Sequence, residues 1–146
     1  MKKPIDFQSI ELTNDMMFCT VLQEPELCRE FLQRVLGIEI QELTLTQAQQ
    51  NMKAGVYSKG IRLDIYAKDV SGNVYDIEMQ KLDTKELDLR SRYYHSEMDS
   101  HQIYEGQGYK DMKESVVIFV CDFDLFQKGR SVYTFESVCR EDFSIQ

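Results

Sequence analysis

The chain has 146 residues, 42% of them hydrophobic, and a formal net charge of −8. That length suits one domain spanning 1–146, and the apolar share can form a core. The negative charge excludes strong non-specific attraction to nucleic acid, which needs Lys and Arg to neutralise phosphates, but leaves room for a local basic patch.

The start, MKKPIDFQSIEL, has two lysines but no apolar stretch behind them, and no run anywhere is apolar for long enough to cross a bilayer. A cytoplasmic location is the expectation. Thr13 or Asn14 can cap a first helix with Met16, Met17, Phe18, Val21 and Leu22 as its apolar stripe. Pro25 suits the first turn of a second helix, in which Leu27, Phe31, Leu32, Val35 and Leu36 repeat at helical spacing and Gly37 is the stop.

From Glu42 the pattern alternates. Leu43 and Leu45 suggest a short strand, followed by the polar stretch TQAQQNMKAG. A strand is predicted over Ile61–Ala67, with Ile61, Leu63, Ile65 and Ala67 on one face and Arg62, Asp64 and Tyr66 on the other. DVSGN, Asp69 to Asn73, is turn chemistry. In the next strand Tyr75, Ile77 and Met79 share one face, and Val74, Asp76, Glu78 and Gln80 share the other.

A helix is predicted from about Thr84 to Glu105, ending at Gly106, with Leu87, Tyr94 and Met98 facing inward. SVVIFVCDF then reads as a fully buried strand, and the helix before it implies a parallel, right-handed crossover from the hairpin. Arg130 to Val138 could add a last strand. No repeat, low-complexity tract or linker marks a domain boundary.

Cys19, Cys28, Cys121 and Cys139 lack CxxC spacing and read as reduced, largely buried thiols. His95 and His101 do not have the i, i+4 spacing that would put two imidazoles on one helical face, which removes a zinc-hydrolase reading.

The hairpin holds the chemistry. With residues 69 to 73 as the loop, facing positions sum to 142, so Asp64 lies opposite Glu78 and Arg62 opposite Gln80. Opposed Cβ atoms stand roughly 5 Å apart, close enough for two carboxylates to share a divalent cation. Without one they repel, and one is driven to protonate. Asp76 lies on the Glu78 face as a ligand, a group behind the ligands or a rim charge. The competing reading is an amphipathic hairpin with a wet polar face, and a loop of even length would separate the two acids.

GIRLDIYAKDVSGNVYDIEMQ, then RSRYYHSEMDSHQIYEGQGYKDM and VVIFVCDFDLF, resemble the Rpn family of recombination-promoting nucleases and transposases. The early NDMMF resembles that family's Asn-Asp-x-x-Phe helix. The family lies within the PD-(D/E)XK superfamily of metal-dependent nucleases. The resemblance implies an α/β, restriction-endonuclease-like core, a mixed central sheet flanked by helices in the order αβββαβ. By the same resemblance Asp64 and Glu78 are the metal-binding acids, the Met79 carbonyl is a further ligand, and Asp15 completes the metal shell. Gln80 takes the place where most superfamily members have a catalytic Lys, and this Glu-x-Gln form is usual in the family that the chain resembles.

The Arg90, Arg92, Tyr93 and Tyr94 helix matches the family's Arg-x-x-Tyr-Tyr stretch. Arg62, Arg92 and Tyr93 become candidates to contact a phosphate or steady the ligands from behind, with packing as the competing role of both tyrosines. Gly106 and Gly108 read as a helix stop and a tight turn. Two departures stand out: Cys19 occupies a place where the family often has Lys, and relatives usually continue beyond the equivalent of Gln146.

The implied function is a Mg²⁺-dependent DNA endonuclease tied to transposition or recombination, with Mn²⁺ as an alternative cation. Gln80 cannot act as the acid-base group that Lys would be and can only orient water or phosphate. One rival is a non-catalytic DNA-binding or protein-interaction module on the same fold. A second is a homo-oligomer assembled through an exposed edge strand or the C-terminal surface.

Overall fold

The computed structural model describes residues 11–45, 50–53 and 59–145. The N-terminal MKKPIDFQSI, the residues TQAQ and AGVYS of the polar stretch and its surroundings, and Gln146 lie outside the described residues. Helix α1 (Asp15–Leu22) is capped by Asn14, not Thr13: its side chain accepts from the backbone N–H groups of Met16 and Met17 at 3.1 and 3.3 Å. Phe18, Cys19 and Leu22 are buried, while Met16 from the expected stripe faces solvent. Helix α2 (Pro25–Leu36) starts on Pro25 and ends at Gly37, whose φ of 69° is the left-handed conformation glycine adopts without strain. Its buried face is Cys28 and Leu32; Leu27 points out.

Strands β1 (Leu43–Leu45), β4 (Ile65–Asp69), β5 (Val74–Gln80) and β6 (Ser115–Cys121) form one sheet in the order β1-β4-β5-β6. β2 (Gln50–Met52) and β3 (Ile61–Leu63) form a separate antiparallel pair, and β2 is a strand that the polar composition of its stretch concealed. The β4–β5 register runs from Lys68 opposite Val74 to Ile65 opposite Ile77, the pairing that the summed positions predict. β6 lies parallel to β5, from Val74 opposite Ser115 to Gln80 opposite Cys121. The connection carries α3 (Leu87–Ser100). The result is a mixed α/β fold whose described elements run two helices, five strands, helix, strand.

Four sequence-based expectations change. The strand expected over Ile61–Ala67 is broken at Asp64. Ile61 and Leu63 pack with Tyr66, Val74 and Met98 in the core beneath α3, whereas Ile65 and Ala67 pack with Phe18, Leu32, Tyr75 and Ile77 beneath α1 and α2. The pleat therefore changes face at Asp64, as happens when one residue interrupts a ladder.

Helix α3 is shorter than Thr84–Glu105. It begins after Lys85, which has a φ of 59°, and ends where the Glu97 carbonyl is taken by Ser100 Oγ at 2.8 Å and His101 Nδ1 at 2.7 Å. β6 is half-buried along its whole length and is an edge of the sheet among the described residues. Val116, Ile118 and Val120 pack into one core and Val117 into the other, so both faces are covered while the outer edge is open. Arg130 to Val138 is not a strand; Tyr133 and Phe135 gather around Phe126, at ring centroid distances of 4.8 and 5.7 Å.

Candidate active site

The acid-bearing face of β5 is not wet. Asp76, Glu78 and Gln80 are buried, Asp76 completely, on the side of the sheet that α3 covers. The bend at Asp64 takes its N–H out of the regular ladder, and a buried N–H must find another acceptor. Glu78 supplies it: Asp64 N donates to Glu78 Oε1 at 2.9 Å. Met79 N in turn donates to Asp64 Oδ2 at 3.3 Å. The two acids predicted to face each other are thus laced together, each carboxylate bonded to backbone of the opposite strand.

Helix α3 adds a cation. Leu87, Arg90, Tyr94 and Met98 recur at helical spacing and share the inward face. Arg90 Nη2 reaches Glu78 Oε2 at 3.3 Å and the Tyr94 oxygen at 3.1 Å, while Nη1 donates to Gln80 Oε1 at 2.6 Å. Tyr94 donates its own hydroxyl to Glu78 Oε2 at 3.5 Å. The other end of the Gln80 amide donates to the Leu82 carbonyl.

Electrostatics follow from this crowding. Burial pushes Glu78 up to about 6, with Asp64's charge adding to it and the Asp64 N–H and Arg90 opposing it. Burial also raises Asp64; the Met79 N–H opposes the shift and the negative charge of Asp15 adds to it. Asp76 is raised furthest, by burial and then by Glu78. Among the described residues neither Asp76 oxygen meets a hydrogen-bond donor, and burial together with the neighbouring Glu78 favours its neutral, protonated form. A rim-charge role for Asp76 is removed by its complete burial.

The other expected site residues take different places. Asp15, at the first turn of α1, is exposed, with its charge felt at Asp64 and Cys19. Arg62 is exposed beside the bend and counters part of the charge on Asp64. Arg92 is exposed on α3. Tyr93 turns toward the β2–β3 pair, its hydroxyl donating to the Lys59 carbonyl at 2.7 Å. Cys19 is buried, and its thiol is pushed up by burial and by the charges of Asp64, Asp15 and Glu78. Gly106 stands in a turn with φ of 91°, and Gly108 precedes a short 3-10 turn. His95 bonds Ser115 Oγ at 2.9 Å and His101 caps α3, so the histidines are apart.

Among the described residues no group of three or more His, Cys, Asp and Glu is arranged to hold a metal ion. What the site offers is a carboxylate pair flanked by backbone, all oxygen donors, with proton affinities raised by burial. That chemistry fits a hard divalent cation such as Mg²⁺ or Mn²⁺. Arg90 is the contact that sequence reasoning left out of the site. Its signal was present, as an arginine on the same helical stripe as Leu87, Tyr94 and Met98.

The profile of a family described as PD-(D/E)XK nuclease family transposase matches residues 14–141, which include every element described above. No curated protein and no solved structure gives a match.

Proposed function

The chain belongs to the PD-(D/E)XK nuclease family transposases, and on that premise we propose that it is a metal-dependent DNA endonuclease that hydrolyses phosphodiester bonds in transposition or recombination. The observation that carries this reading is the buried, cross-bonded pair Asp64 and Glu78. These two carboxylates would hold Mg²⁺ or Mn²⁺, with the Met79 carbonyl as a further oxygen and Asp15 adding negative charge beside them. When bound, such a cation polarises the scissile phosphate and lowers the pKa of a water.

The protein's own part is to hold the carboxylates at a fixed separation and keep water from their far side. β5 and β4 fix the separation through their register, and α3 covers the buried face. Gln80 is neutral and carries no proton to exchange, so proton transfer falls to solvent or substrate.

Nicking of supercoiled plasmid in Mg²⁺ and in Mn²⁺ tests the reading. Wild-type protein should nick only with the cation, and Asp64→Ala and Glu78→Ala should each lose more than the roughly 100-fold typical of removing a group that merely orients a ligand. Cleavage that persists in both variants would remove the assignment. Absence of cleavage under every cation would favour a DNA-binding or interaction role for the same fold.

A further inference from the structure

Gln80 occupies the strand position where most members of the wider nuclease superfamily have a Lys, and both ends of its amide are spent inside the protein. Its oxygen accepts from Arg90 and its nitrogen donates to the Leu82 carbonyl. The cation is on α3 instead. The Arg90 guanidinium lies 5.3 Å from the Tyr94 ring centroid and 5.1 Å from that of Phe119, a setting that favours a planar charged group. Of the ion pairs among the described residues, Arg90 with Glu78 is the one in which both side chains are mostly buried.

Resting on the reading of Asp64 and Glu78 as the cation-holding pair, we propose that Arg90 is the positioning residue of this site. It supplies from the helix the positive charge that position 80 lacks, and Gln80 serves as its anchor. The guanidinium is a rigid, planar fork of donors, so it orients its partners and offsets their charge through fixed hydrogen bonds. One arm fixes Gln80 Oε1 and the other fixes Glu78 Oε2. A carboxylate has about four lone-pair positions; the Asp64 N–H takes one on Oε1, and Arg90 and the Tyr94 hydroxyl lie on Oε2, which leaves a position on Oε1 for a cation. Without Arg90, Glu78 Oε2 would keep only the long contact to the Tyr94 hydroxyl.

The test is a double-mutant cycle over Arg90→Gln, Gln80→Lys and the double variant, with Arg90→Lys and Asp64→Ala alongside. Melting of the cation-free proteins, the rise in Tm on adding Mn²⁺, and plasmid nicking resolved into kcat and KM are measured. Gln80→Lys should lower the Tm, because it sets an ammonium against the guanidinium. The double variant should recover part of that loss, since the single cation has then moved to the strand.

The Mn²⁺-induced rise should shrink in Arg90→Gln, be partly kept in Arg90→Lys and return in the double variant. In nicking, Arg90→Gln should lower kcat by about 10- to 100-fold with KM little changed, as for groups that orient a metal ligand. A wild-type Mn²⁺ rise in Arg90→Gln, or strictly additive effects of the two single changes, overturns the role of Arg90 while leaving Asp64 and Glu78 standing. A full rise in Asp64→Ala overturns the carboxylate pair itself, and the role of Arg90 with it.

Discussion

Glu78 shows how a single buried acid couples the site to pH. Its folded pKa of about 6 exceeds the roughly 4.3 of a free Glu, so between those values the fold binds protons that the unfolded chain has released. Stability from this group is therefore present at low pH and falls as pH rises through 6. Asp64 and Asp76, also raised, work in the same sense and His95, lowered by burial, in the opposite one, so the share of Glu78 and the acids coupled to it is read by comparison with Glu78→Gln. Relative to that variant, the cation-free wild type should lose Tm between pH 5 and pH 7.5 by circular dichroism, and saturating Mg²⁺ should flatten the difference. A pH response identical in the two proteins would remove the buried acid as its source.

Asp76→Asn gives a companion result. The amide stands in for the neutral acid and removes a titrating group beside Glu78, so the fold should persist with a weaker pH dependence. At this scale the sequence was partly legible. The pairing of positions 64 and 78 followed from loop length, but the complete burial of Asp76 did not, because alternation reports which face a side chain takes and not what covers that face.

Among the elements, α1 and α2 were readable from their ends, since Asn14, Pro25 and Gly37 act through local backbone geometry. Asn14→Ala should cost about 1 kcal/mol in urea unfolding, the usual loss for an N-cap. The inward stripe of α3 was found at Leu87, Tyr94 and Met98, but its ends were set too wide, because the stops are a positive-φ Lys85 and side-chain caps from Ser100 and His101 rather than Gly106. Met98 is completely buried, and Met98→Ala should cost about 2–5 kcal/mol by the same measurement. β6 was misread for a related reason. Its residues are apolar on both faces because helices lie over both, and that pattern is the same for a central strand as for an edge.

For the molecule as a whole, charge sets the terms on which DNA can approach. A net charge of −8 opposes association, yet the stretch from Leu43 to Leu63 has no Asp or Glu and includes Lys53, Lys59 and Arg62. The described part of that stretch runs directly into Asp64, with Arg62 exposed beside it. Binding to a duplex in Ca²⁺ should thus depend on few phosphate contacts, with log affinity falling against log salt at a slope of about −3 for three neutralised phosphates. Lys53→Gln should make that slope shallower by about one. A slope unchanged by the substitution would locate the phosphate contacts elsewhere.

The break at Asp64 reaches beyond chemistry. Residues on its two sides feed different cores, so the change of pleat here matters independently of which side chain occupies the position. Exchanging Asp64 for another side chain alters the site and leaves the spacing intact. Smoothing the break into a regular strand would send Ile65 and Ala67 to the face of Leu63, and both cores would receive the wrong side chains at once. The change of face at position 64 is therefore expected to persist in this chain's relatives even in copies that have lost the acid.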